Sequence, residues 1–357
     1  MRVALLADTH FGIRGDSQIM LDHQQKFFDN VFFPYIKDNQ INHIIHLGDL
    51  VDRRKYINYN TSKRMREMFL ERITGSLVCD IILGNHDVTY KNTNDLNVLE
   101  ELVAERYDNI NIYTSPTDVT IYNRNTSEPI TNVSYIPWIT DDNREKTFEL
   151  LNSTTTQLAF AHLELEGFLN NDGILANGED PKLFQKFDMV MTGHFHNRVT
   201  KDNIYYLGCP YQMSWNDYND PKGFHVFDIE TRKLQFIPNP HKLFIRLNYN
   251  DSVYTLDQMI KEVDEAGVTD AFIKIVVEEK TDPYKFDLYI THIESLQPCD
   301  LKVIETKELA IDTDVDHAEE TLSILKKSIS SLDVSVDKTE LEKMIVNVYN
   351  RAVTVEI

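Results

Sequence analysis

At 357 residues the chain has room for two or three structural units. Its 42% hydrophobic and 10% aromatic content argues for a packed core and against disorder. The formal charge of −21 and pI of 4.9 count against a protein that merely coats a polyanion, because phosphate affinity comes mainly from Lys and Arg.

The acidic balance counts less against an enzyme, since clustered carboxylates bind divalent cations that then meet a phosphate. No apolar run approaches the roughly 20 residues that cross a bilayer. The opening stretch up to Asp8 is too short and ends too acidic for a signal peptide. Cys79, Cys209 and Cys299 are scattered and odd in number, which points to a reducing cytoplasm without a disulfide framework.

In chain order, residues 3–7 read as a buried first strand and 18–38 as a helix. A strand at 41–47, a helix at 61–74, a strand at 77–83 and a helix at 94–105 continue a βαβα pattern, which predicts a sheet with helices on its faces. From about 117 to 247 the chain turns strand-rich, at 119–122, 133–136, 157–161, 189–192, 204–207, 225–227 and 234–237. One helix, 143–151, interrupts that run. Two sheets packed face to face would close such a domain. Pro238-Asn239-Pro240 breaks regular structure and marks a boundary. Beyond it comes β-α-β-α-β, with Thr255 as N-cap of a helix at 256–265 and apolar strands at 271–277 and 301–304. Two amphipathic helices, 318–329 and 338–351, end the chain after the acidic Asp312, Asp314 and Asp316. The expected units are therefore 1–240, 241–310 and 311–357.

The chemistry lies in five short motifs, each directly after an apolar run. They are Asp8-Thr9-His10, Gly48-Asp49-Leu50-Val51-Asp52-Arg53, Gly84-Asn85-His86-Asp87, Ala161-His162 and Gly193-His194-Phe195-His196. An open α/β sheet presents its ligand site at the C-terminal ends of its strands, so five separated segments can meet at one spot. Asp, His and Asn supply oxygen and nitrogen but no thiolate, which suits Mn²⁺, Fe²⁺ or Zn²⁺ in an open site over a closed structural zinc. Asp8 and His10 stand two apart, as do His194 and His196, so in extended chain each pair points one way. A carboxylate must bridge two cations roughly 3.5–4 Å apart, and Asp49 on its Gly-led turn is the candidate. Each motif alone has a plainer reading as a turn or loop; five in this order do not. His43 and His46, within the second strand, read as packing or surface residues. His23, His225, His241, His292 and His317 read as structural.

The five motifs together, spread over residues 8–196, resemble the full signature of the calcineurin-like metallophosphoesterases. Within that superfamily the chain resembles the SbcD-type recombination nucleases. The stretch Arg2-Val3-Ala4-Leu5-Leu6-Ala7-Asp8-Thr9-His10-Phe11-Gly12, the segment Tyr206-Leu207-Gly208-Cys209-Pro210-Tyr211, and the small domain with its helical tail carry that likeness. His162-Leu163-Glu164-Leu165-Glu166-Gly167-Phe168 and Asn219-Asp220-Pro221-Lys222-Gly223-Phe224 look most like its phage-encoded branch.

The resemblance implies a four-layer α-β-β-α sandwich with a small α+β capping domain and a helical tail. It also implies a homodimeric DNA exonuclease and endonuclease of the host cytoplasm. Asp8, His10, Asp49 and His196 would hold one metal, and Asp49, Asn85, His162 and His194 the other, with Mn²⁺ preferred. His86 would be catalytic and unliganded. Arg53 and Asp87 lie beside the ligands. Some relatives carry histidine where this chain has Asp52, so Asp52 keeps two readings: it orients the site, or it pairs with a nearby arginine. The stripes Leu322/Leu325/Ile329 and Leu341/Ile345/Val348 either pack back on the small domain or dock on another protein's helices, and the resemblance implies docking on an SbcC-type coiled-coil ATPase. The early helices at 18–38 and 61–74 would form the homodimer. A metallophosphatase acting on small phosphoesters shares the whole metal signature and is the rival reading.

Overall fold

The computed structural model describes residues 1–123, 126–169 and 175–305, and Met1–Val303 form one compact unit. The tail helices expected at 318–329 and 338–351, with His317, lie outside the described residues.

The first sheet grows from the apolar runs that precede the motifs. Arg2–Leu6, His43–His46, Val78–Ile82 and Ile110–Tyr113 lie side by side and parallel. On the other flank of Arg2–Leu6, Gly223–Asp228 pairs antiparallel, and Lys233–Pro238 closes the edge. The second sheet runs in the order Val199–Lys201, Ile204–Tyr206, Met189–Gly193, Leu158–His162, Pro129–Ile136 and Thr117–Tyr122, with its central strands parallel. Side chains alternate across each strand, so each sheet feeds two cores. Val3, Leu5, Ile45 and Leu47 meet Tyr135, Leu158, Phe160 and Met191 in the core between the sheets. Ala4, Leu6 and Ile44 face outward against Phe27, Phe28, Phe32, Ile36, Met65 and Met68 of the early helices. On the opposite side, Ala159, Ala161 and Val190 pack against Leu151 of helix Asp141–Ser153 and against Phe184. These are the four layers, helix, sheet, sheet, helix.

The helix expected at 18–38 is continuous but changes pitch: Gln18–Phe27 is α, Phe28–Phe32 is a π turn, and Phe33–Asp38 is α again. Pro34 sits in the first turn of the last piece and has no N–H for the ladder, which loosens the preceding turn. The helix expected at 94–105 is corrected. Thr93–Asn97 is a strand, paired antiparallel with Val88–Tyr90 right after the third motif. Only Val98–Leu102 is helical, and Asn97 caps it through its side chain to the Glu100 N–H.

Beyond Pro240, Phe244–Asn250 and Phe272–Glu279 pair in parallel, with Asp300–Glu305 third in the sheet. Helices Leu256–Ala266 and Pro283–Ser295 cover it around Ile245, Leu247, Tyr249, Val263, Ile275, Tyr289 and Ile293. Thr255 caps the first of these helices in a reciprocal capping box with Gln258, and Gly267 ends it in the left-handed conformation.

Candidate metal centre

Each motif lies at the C-terminal end of a strand of one of the two sheets. Parallel strands put those ends on one edge, so the five segments converge. The turns there are tight. Asp8, His10, Asp49 and His194 all adopt positive φ, at 54°, 42°, 55° and 95°. Four non-glycine residues held in that region mark a place where the surrounding structure imposes strain. Two glycines make the approach of the motifs possible. A Cβ on Gly84 would lie 2.2 Å from the Asp49 nitrogen and 2.3 Å from its Oδ1. One on Gly48, whose φ is +88°, would lie 2.5 Å from His162 Nδ1.

The donor atoms meet in a small volume. Asp8, His10 and His196 form one group whose candidate atoms lie within 4.8 Å of one another; Asp49, His162 and His194 form a second, and His10, Asp49 and His86 a third. Asp49 Oδ2 lies 3.6 Å from His10 Nε2 and 3.5 Å from His162 Nε2, between the two groups. Asn85 Oδ1 faces His162 Nε2 at 2.9 Å and His194 Nδ1 at 2.8 Å. His10 Nε2 and His196 Nε2 face each other at 3.1 Å. Asp8 is anchored by the His194 N–H at 2.9 Å.

His86 stands differently. Its backbone N–H donates to Asp49 Oδ1 at 2.7 Å, and its ring Nδ1 donates to the Asp52 carbonyl at 2.5 Å, which leaves Nε2 as its other titrating atom. The Asp52 carboxylate lies 3.6 Å from His10 Nδ1, while Arg53 reaches away to Asp16 at 3.0 Å and to the Tyr56 hydroxyl. Asp87 is buried and accepts the N–H groups of Gly84, Leu50 and Val51, lacing the second motif to the third.

Burial and neighbouring charge shift these groups in opposite directions. Burial pushes the Asp8 carboxyl up to about 8, with the Asp49 charge adding to it. Burial pulls His162 down, but the Asp49 carboxylate overcomes it and lifts the ring to about 9. His10 and His194 are held neutral by burial, His194 down to about 3, and burial lowers His196 to about 4. For His86 burial also lowers the pKa, but Asp49 and the Asp52 carbonyl win and raise it. Buried oxygens and imidazole nitrogens thus converge on one spot, and the raised pKa values of Asp8 and His162 favour an extra proton there. His162 Nδ1 donates to the Leu47 carbonyl at 2.7 Å, so the Nε2 that faces Asp49 and Asn85 carries a lone pair once that extra proton leaves. The donor set therefore fits borderline divalent cations.

All seven sequence-derived donors and His86 come together. His46, read from sequence as packing or surface, is buried with Nε2 2.9 Å from Thr9 Oγ1, and His43 is buried against Asp80 at 2.8 Å. Sequence reasoning passed over two neighbours. Trp138 packs its ring 5.1 Å from that of His194, and Glu164 Oε2 lies 3.8 Å from His194 Nε2. Neither carries a motif of its own; Glu164 offered one signal, its place two residues after His162 in a strand-end turn.

A buried carboxylate and imidazole cluster on strand ends between two such sheets belongs to a metal-dependent phosphoesterase. Residues 1–198 match the calcineurin-like phosphoesterase family, and the chain is a member of it. Exonuclease subunit 1 of Enterobacteria phage T4 is 29% identical over 283 residues, covering 78% of this chain and 77% of that protein. The SbcD component of the SbcCD nuclease of Staphylococcus saprophyticus is 24% identical over 280 residues, covering 71% and 73%. Its counterpart from Staphylococcus epidermidis is 26% identical over 269 residues, covering 67% and 69%. No helix among the described residues is long and apolar enough to cross a membrane.

Proposed function

We propose that the chain is a Mn²⁺-dependent DNA nuclease that hydrolyses phosphodiesters at DNA ends as the nuclease subunit of an SbcCD-type complex. The position of Asp49 Oδ2 between His10 and His162 carries the two-ion reading. Asp8, His10, Asp49 and His196 would hold one ion; Asp49, Asn85, His162 and His194 would hold the other. The nuclease names of the phage T4 and staphylococcal relatives support DNA as the substrate. Residues 1–240 are the catalytic domain, 241–310 a small capping domain that contacts DNA, and 311–357 the segment that binds a coiled-coil ATPase. The active form is a homodimer working in the cytoplasm of a phage host.

Two divalent ions, when bound, draw in the nonbridging phosphate oxygens, neutralise developing charge and make a water more acidic. The chain's own part is positioning and proton transfer. Asp49 and the Asp52 carbonyl raise the His86 pKa and so favour the charged ring. With Nδ1 committed to that carbonyl, Nε2 is the atom that would donate to the leaving 3′ oxygen or stabilise the transition state. Asp87 fixes the loops that carry Asp49 and His86 relative to each other.

The test compares a linear DNA duplex with a small chromogenic phosphate ester, each with Mn²⁺ and with EDTA. Mn²⁺-dependent release of nucleotides from the duplex supports the reading. Hydrolysis of the small ester with an untouched duplex replaces it with a metallophosphatase.

A further inference from the structure

Two segments singled out in the sequence have no part in this chemistry: residues 206–211 and 219–224. Both run behind the fifth motif. Within the second sits Lys222, with its side chain 3% exposed, and a lysine is almost never so buried unless paired. Its ammonium donates to Asp217 Oδ1 at 2.6 Å, to Asp220 Oδ2 at 2.7 Å and to the main-chain carbonyl of His196 at 2.8 Å, with Asn197 Oδ1 at 3.4 Å. An ammonium has three donors, and these oxygens use all of them. The His196 carbonyl also accepts the Cys209 N–H at 3.1 Å, so both of its lone pairs are engaged. Asp217 is fixed in turn: its other oxygen accepts the N–H groups of Met213 and Ser214 at 2.8 and 3.0 Å. The main chain of His196 is thus clamped from behind by a charge-assisted bond, while its ring faces His10.

We infer that Lys222 is a positioning residue for His196: held by Asp217 and Asp220, it fixes the backbone of the fifth motif so that the imidazole meets the metal centre in one orientation. Loss of a group that orients a metal ligand from outside typically weakens metal affinity about ten- to a hundredfold. This inference rests on the proposed role of His196 as a metal donor. It also gives the 219–224 segment a purpose its distance from the five motifs in sequence conceals.

The experiment is calorimetric titration of the EDTA-stripped full chain with Mn²⁺. The wild type binds two ions and His196→Ala loses one. The double variant Lys222→Met/Asp217→Asn removes the clamp without leaving a lone buried charge. One ion is expected to bind it about ten- to a hundredfold more weakly, with the other unchanged and the metal-free melting temperature close to wild type. Wild-type affinity for both ions overturns the inference, as does parallel weakening of both with a collapsed metal-free melting temperature, since that is a scaffold defect only. Asp220→Ala, at a partly exposed position, is the second variant should the double fail to fold: a weaker loss at the same ion is expected, and an unchanged titration overturns the inference. A wild-type chain that takes up no Mn²⁺, or a His196→Ala variant that keeps both ions, defeats the site itself, and that failure is visible before Lys222 is touched.

Discussion

His86 is tied to the site at both ends, by its N–H to Asp49 and its ring to the Asp52 carbonyl, yet it shares neither Asn85 nor the His10–His196 contact. His86→Ala is therefore expected to retain both Mn²⁺ ions and to lose about 10²–10⁴-fold in kcat, the usual worth of a positioned general acid. Metal analysis alongside turnover checks it; reduced metal content would make His86 a ligand. Asp49 is the contrasting case. It lies between the two donor groups and also accepts the His86 N–H, so Asp49→Ala is expected to lose both ions. One ion retained at full occupancy would remove it from the bridging position.

At the scale of elements, the strand-to-loop junctions matter more than the strands. Gly84 lets the third motif lie against the second, and its Cβ-equivalent space is taken by Asp49 main-chain and carboxylate atoms. Gly84→Ala is expected to cost about 1–3 kcal/mol in overpacking and, because Asp49 must move, to weaken Mn²⁺ binding more than that loss implies. Thermal melting and metal titration of the same variant separate the two effects. These junctions were legible in sequence because each motif is local: an apolar run, a glycine or its absence, then polar residues within a few positions. Other features depended on distant partners. Thr93–Asn97 is polar and ends in a helix-capping Asn, so the leucines at 96, 99 and 102 suggested a longer helix than the hairpin permits. Strand Gly223–Asp228 leaves the strand-rich half of the chain to pair with Arg2–Leu6, a register that nothing in the intervening sequence announces. Lys222, between Pro221 and Gly223, reads as a loop lysine; only the folded chain buries it.

Buried histidines away from the site make the fold sensitive to acid. His23 and His225 are each lowered to about 3, by burial first and then by neighbouring positive groups. Above the ordinary histidine pKa of about 6.5 both folded and unfolded chains hold these rings neutral, and they contribute nothing to pH dependence. Below it the unfolded chain takes up protons that the folded chain refuses, so stability falls as pH drops towards 3, by up to about 1.4 kcal/mol per pH unit per ring. Denaturant midpoints at pH 7 and pH 5 are expected to show His225→Gln losing less stability on acidification than wild type. An identical loss would mean His225 is protonated in the folded chain.

Every proposed metal donor, together with His86, Asp87 and Lys222, lies within Met1–Val303, and the small sheet beyond Pro240 has a core of its own. The stripes Leu322/Leu325/Ile329 and Leu341/Ile345/Val348 lie outside the described residues, and none of the sequence motifs that carry the chemistry falls in them. A chain of net charge −21 is expected to bind a polyanion weakly and to lose that binding further as salt rises, so an ATPase partner that supplies DNA affinity would change its working range. Truncation after residue 310 is therefore expected to leave Mn²⁺-dependent cleavage of a linear duplex at low salt near the full-length rate, while abolishing co-purification with an SbcC-type coiled-coil ATPase. Co-purification that survives the truncation would move the partner's docking surface off the tail and onto the compact unit. A loss of cleavage by the isolated chain would instead make residues 311–357 part of the catalytic fold.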